Sequence, residues 1–154
     1  MNSQTSSLEF SHFPVMLSEI IQISNPNKGG LFVDCTFGGG GYSKALLQFQ
    51  NTKVIAIDRD SNVISIANKF KKKFKNRFQF YQLRFSQMET VLKKKENVDT
   101  IILDLGLSSI QLNNLDRGFS FKSKKNLDMT MGLTDKSAQY LSLIHISEPT
   151  RRSY

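Results

Sequence analysis

Four consecutive glycines, Gly38 to Gly41, follow the apolar stretch Leu31 to Cys35 and precede a helix-compatible segment, Tyr42 to Phe49. A strand that ends in such a turn and re-enters as a helix brings its main chain within contact of a bound molecule, because no Cβ stands in the way. Lys53 to Ile57, Phe78 to Gln82 and Thr100 to Leu103 are short runs rich in Val, Ile, Leu or Phe, which predicts strands buried on both faces. Between them, Ser61 to Lys75 sets Val63, Ile64, Ile66, Ala67 and Phe70 on one helical face, and Ser86 to Lys95 repeats the pattern with Met88, Val91 and Leu92. The alternation β-α-β-α-β-α-β predicts parallel strands and a doubly wound α/β fold. Upstream, His12 to Ser24 suits a helix packed on the sheet; downstream, Gly106 to Gly132 reads as a long polar connection.

With 154 residues, 39% of them hydrophobic, the chain is about one domain's worth of sequence around one core. A single cysteine, Cys35, excludes an internal disulfide framework and a multi-cysteine metal site; it reads as a buried thiol at a strand end in a reducing compartment. No apolar run reaches the roughly 18 residues that span a bilayer. Met1 to Phe10 also lacks a signal peptide's basic and apolar regions, so a cytoplasmic protein is expected. The net charge of +8 is concentrated: Lys69 to Lys95 holds ten basic residues against Glu89 alone. Such a stripe is either a surface for phosphate backbones or a solvated helix face.

In an open α/β sheet the ligand sits beyond the carboxyl ends of the strands. Those positions hold the glycines; then Asp58, Arg59 and Asp60; then Arg84, Phe85 and Ser86; then Asp104 to Ser109. An acidic residue ending the second strand, about twenty residues past the glycine turn, is placed to accept hydrogen bonds from the hydroxyls of a ribose. The dinucleotide spacing Gly-x-Gly-x-x-Gly fails, since its last position falls on Ser43 or Lys44, and Tyr42 follows Gly41 where a P-loop needs Lys. A cofactor with a ribose and no pyrophosphate remains, which S-adenosylmethionine satisfies.

Six blocks in order carry a resemblance: His12 to Leu17, Asp34 to Ser43, Ile57 to Asp60, Leu103 to Leu112, Asp116 to Phe121 and Leu127 to Met129. From about His12 to Ala138 the chain resembles the small-subunit (16S) ribosomal RNA cytosine-N4 methyltransferases, the RsmH/MraW family. The resemblance implies a Rossmann-like class I S-adenosylmethionine-dependent methyltransferase fold, and methylation of the N4 amine of a cytidine in ribosomal RNA of the small subunit. It also implies cofactor contacts at Gly40, Gly41, Tyr42, Asp58, Phe85, Asp104 and Gln111. Tyr42 stands where the family has a histidine. Phe85 is either an adenine wall or an apolar plug, and Asp104 either orients the reacting amine or ends a turn. Arg117, Phe119, Phe121, Lys122, Lys124 and Lys125 mix basic and aromatic residues as an RNA-contacting segment does, or as a packed loop does.

The family is far longer, so the resemblance marks an N-terminal part of it. The expected organisation is a tail over 1–11, the N-terminal part of the methyltransferase domain over 12–105, the start of an insertion or RNA-contacting region over 106–140, and a tail over 141–154. The last of these, from Ser142 to Arg152, looks like sequencing-adaptor read-through, which gives His145 no chemical role. An open sheet edge, marginal stability and no activity are then expected of these 154 residues alone. The competing reading is a non-enzymatic RNA-binding module that works through the basic 69–95 region.

Overall fold

The computed structural model describes residues 14–92, 97–132 and 136–144. Expectations that rest on His12, Phe13, Lys93 to Lys95 and His145 lie outside them. Strands β1 (Gly30–Asp34), β2 (Thr52–Asp58), β3 (Phe78–Gln82) and β4 (Thr100–Ile102) form one parallel sheet in the order β3-β2-β1-β4. Helix α1 (Leu17–Ser24) precedes the sheet, α2 (Gly41–Leu46) joins β1 to β2, and α3 (Ile64–Phe74) joins β2 to β3. Beyond β4 lie α4 (Ser109–Asn113) and α5 (Ala138–Ile144). No helix among the described residues is long and apolar enough to cross a membrane.

Strand periodicity divides the core into two layers. Phe32, Val54, Ala56, Phe78, Phe80 and Ile102 face one side, where Leu46, Val63, Ala67 and Phe70 cover them. Val33, Cys35, Ile55 and Ile57 face the other, against Met88, Val91 and Leu92. This second side is less fully covered: Ile101 and Leu103 remain exposed. Cys35 is buried just beyond β1, as its position predicts.

The expected helix Ser61 to Lys75 is α-helical over Ile64–Phe74 between two 3₁₀ turns, and the stretch read as a connection, Gly106 to Gly132, contains α4 and a 3₁₀ turn. Other elements differ from expectation in extent or type, each for a local reason. Among the described residues helix α1 starts at Leu17, because Met16 before it holds a left-handed φ of 51°. Helix α2 stops at Leu46, where Thr52 Oγ1 donates to the Leu46 and Phe49 carbonyls and Arg77 donates to those of Leu47 and Phe49. The segment read as a helix from Ser86 is a 3₁₀ turn over Phe85–Thr90, since Phe85, Met88 and Val91 recur every three residues, the 3₁₀ period.

Candidate functional site

Strand order reverses at β1, which has β2 on one side and β4 on the other. The loops that follow β1 and β4 therefore diverge and open a crevice at the carboxyl edge. A cavity of about 640 Å³ lies there, lined by Thr36 to Gly39, Gly41 and Tyr42 after β1, Asp58 to Asp60 after β2, Phe85 after β3 and Asp104 to Gln111 after β4.

Asp58 on this wall is held by main-chain amides. Its Oδ2 accepts a hydrogen bond from the Gly38 amide at 2.7 Å and its Oδ1 one from the Asp60 amide at 2.8 Å. Each oxygen keeps further lone-pair capacity toward the cavity. Burial pushes its carboxyl above the ordinary range, and hydrogen bonds from the Asp60, Gly38 and Arg59 amides pull it back.

Asp34, the last residue of β1, is fully buried behind the turn; Ser43 Oγ donates to it at 2.7 Å and the Thr36 amide at 3.3 Å. Burial raises its carboxyl from 3.8 to about 6, against the pull of those hydrogen bonds. The folded chain therefore binds this proton more tightly than the unfolded chain, so Asp34's contribution to stability falls as pH rises from about 4 through 6. Asp34→Asn should remove that slope, gaining up to about 3 kcal/mol on the wild type between pH 4 and pH 7. Urea denaturation at a series of pH values reads this directly; parallel stability curves for the two proteins would contradict it.

Tyr42 is buried, and its hydroxyl lies 2.5 Å from the Val15 carbonyl and 3.3 Å from Asp104 Oδ2. Burial, followed by the charge of Asp104, pushes the phenol up to about 12, so it stays a donor at neutral pH. This neutral hydroxyl ties the segment before α1 to the cavity rim. Asp104 itself is exposed, with its amide donating to Thr36 Oγ1 at 2.8 Å.

Asp60 and Gln111 on the cavity wall belong to a buried ionic cluster. Asp60, 1% exposed, pairs with Arg117 Nη1 at 2.7 Å and accepts from Gln111 Nε2 at 3.0 Å. Arg117 Nη2 donates to the Thr130 carbonyl at 2.7 Å, and its guanidinium lies over the Phe119 ring. Gln111 Oε1 accepts from the Ser108 amide, which closes a capping box on α4.

Of the residues singled out in sequence, Gly41, Tyr42, Asp58, Phe85, Asp104 and Gln111 meet at the cavity. Gly40 does not: it is turned into the core against Phe37 and Phe70. Gly38 and Gly39 face the cavity in its place, and an added Cβ on Gly39 would meet nothing within 4 Å. Arg117 and Phe119 are buried, the packed-loop arrangement, whereas Phe121, Lys122, Lys124 and Lys125 are exposed. Sequence reasoning placed Gly39 and Asp60 at this edge without giving either a contact, and it missed Thr36. The polar triplet Asp58 to Asp60 at a strand end was the available signal for Asp60.

The family model described as the MraW methylase family matches residues 9–148. The chain belongs to the MraW methylase family. The match takes in α5 and runs past Leu141, into the segment set apart in sequence. Proteins named ribosomal RNA small subunit methyltransferase H are similar to it. The one from Rickettsia akari is 46% identical over 129 residues, 84% of this chain and 42% of its own length. That from Orientia tsutsugamushi is 45% identical over 120 residues, 78% of this chain and 38% of its own. The chain thus spans about two fifths of the curated relatives it matches.

Proposed function

We propose that the full protein carrying this chain transfers a methyl group from S-adenosylmethionine to the N4 amine of a cytidine in small-subunit ribosomal RNA. One observation carries the cofactor assignment: in a member of this methylase family, Asp58 is held at the cavity wall by the Gly38 and Asp60 amides, in the position that receives ribose hydroxyls. The residues fit the cofactor. Asp58 has acceptor capacity to spare, the open side of Gly39 admits a ligand against main chain, and Phe85, 43% exposed on the cavity wall, offers a ring face to an adenine. The substrate assignment is supported by the relatives' name and by the family resemblance.

When bound, S-adenosylmethionine supplies a methyl group already activated on a sulfonium. The chain's own task is alignment and exclusion of water. The lone pair of a cytosine N4 amine is delocalised into the ring, so an acceptor that binds an N–H and bends the amine out of plane favours attack. Asp104 is the residue proposed for that role, with Thr36 fixing its backbone and Tyr42 its carboxylate. Leu105 and Leu107 line the same rim and limit solvent. The target base has to be unpaired or extruded to reach it.

Calorimetry and turnover on the full protein test the two halves together. Asp58→Ala should weaken S-adenosylmethionine binding by roughly tenfold to a hundredfold, the worth of hydrogen bonds to a charged acceptor. Asp104→Asn should leave that affinity within a few-fold and lower turnover by about a hundredfold or more. Unchanged binding in Asp58→Ala, or full turnover in Asp104→Asn, would refute the corresponding role.

A further inference from the structure

The basic stretch that is continuous in sequence divides in space. Helix α3 connects parallel strands, so it runs against their direction and its last turn lies at the amino edge of β3, opposite the cavity. Lys69, Lys71, Lys72, Lys73 and Lys75 are exposed there, while Arg84 lies beyond the other end of β3. From Ser61 to Met88 the chain contains no acidic residue. Among the described residues, none of these five lysines pairs with a carboxylate. Like charges at i,i+3 and i,i+4, such as Lys69 with Lys72 and Lys73, or Lys71 with Lys75, each destabilise a helix. The favourable helix dipole at this end offsets only part of that.

Two further observations give the patch a shape. β3 is an edge strand, and a shallow groove of about 450 Å³ runs along it, lined by Lys71, Lys75, Phe78, Gln79, Phe80 and Tyr81. The Lys71 ammonium lies 5.9 Å from the centre of the Phe80 ring, and Tyr81 Oη donates to Gln79 Oε1 at 2.8 Å. Arg77 is not part of the patch, because its guanidinium holds the Leu47 and Phe49 carbonyls.

We propose that this lysine-lined edge of β3 and the last turn of α3 form a docking surface for an RNA phosphate backbone, separate from the cavity. The charge is of one sign, without a carboxylate partner among the described residues, and spread along a groove, which matches a polyanion rather than a single anion. None of the large apolar side chains of α3 or β3 is exposed, so the surface has nothing to insert into a bilayer. The patch and the cavity lie at opposite ends of α3, whose 11 residues span about 16 Å. An RNA that engages both is held at two points, one beside the reacting base and one on flanking backbone. This inference rests on the RNA-substrate reading above.

The test is fluorescence anisotropy of the full protein with a labelled single-stranded RNA of mixed sequence, from 50 to 200 mM salt. The Lys71→Gln, Lys72→Gln, Lys75→Gln variant should bind about tenfold or more weakly at 50 mM salt, and its log–log salt slope should fall by about 2, as three lost phosphate contacts predict. RNA binding equal to wild type in affinity and slope overturns the proposal. So does binding to phosphatidylglycerol vesicles that the variant loses while its RNA affinity stays the same. Calorimetry with S-adenosylmethionine on both proteins separates the two readings. A wild type that binds no cofactor removes the methyltransferase assignment and leaves the docking result standing, whereas intact cofactor binding with no RNA effect removes the docking surface alone.

Discussion

Arg117→Ala is expected to destabilise the protein by about 3–5 kcal/mol, the loss typical when one partner of a buried ion pair is removed. The size comes from what is left behind. Asp60 is buried and bonded to Arg117 at 2.7 Å, and without the guanidinium its charge keeps, among the described residues, the Gln111 amide and the Asn62 backbone amide. The same guanidinium holds the Thr130 carbonyl, while the Arg117 carbonyl accepts from the Met129 amide, so the 126–131 segment loses an anchor as well. Against a typical total of 5–15 kcal/mol, such a loss leaves little folded protein at physiological temperature. Denaturant titration of Arg117→Ala, Asp60→Asn and the double variant checks it. The double should recover part of the loss, since no uncompensated charge remains. A single-variant loss below about 1 kcal/mol would show that water reaches Asp60 and that the pair is not structurally required.

Gly40→Ala should be nearly as severe, and Gly39→Ala should not be. Gly40 has φ 78°, and a Cβ there would stand 2.7 Å from Phe70 Cζ and 2.9 Å from Phe37 Cε2. Those rings belong to a packed aromatic group with Phe78 and Phe80, with ring centres 5.2–5.6 Å apart. Left-handed backbone for alanine costs about 1–2 kcal/mol, and forcing a methyl into such packing adds about 1–3. Gly39 has open space where its Cβ would be and a φ outside the left-handed region. Its methyl should leave the melting temperature nearly unchanged and reduce S-adenosylmethionine affinity, because it projects where the cofactor is proposed to pass. Thermal melts and calorimetry on the two variants therefore separate the glycine that the fold requires from the one that the ligand requires. Equal melting temperatures would show that the core accommodates a methyl at Gly40.

Much of the site was legible because strand ends are legible. Short apolar runs mark where β1, β2, β3 and β4 stop, and in a parallel sheet all four stops face the same edge. Asp58 was found on that ground, and Phe85 and Asp104, which the family resemblance singled out, fall at the same edge. Less legible were the partners of side chains far apart in the chain. Arg117 and Asp60 are 57 residues apart, and nothing in their neighbours' periodicity indicates that they meet. Exposed charge and buried charge look alike in a sequence, so Arg117 and Lys122 were grouped together although one is buried under Phe119 and the other faces solvent.

Local periodicity, which depends only on neighbours, was enough to determine the α/β alternation, the glycine turn after β1 and the acid after β2. The tertiary structure alone decided which glycine of Gly38 to Gly41 faces the cavity, which arginine completes a buried pair, and how the basic stretch divides between the two edges of the sheet. Those outcomes depend on sheet order and on the reversal of α3 against the strands. Both are set by packing between elements rather than by the residues within any one of them.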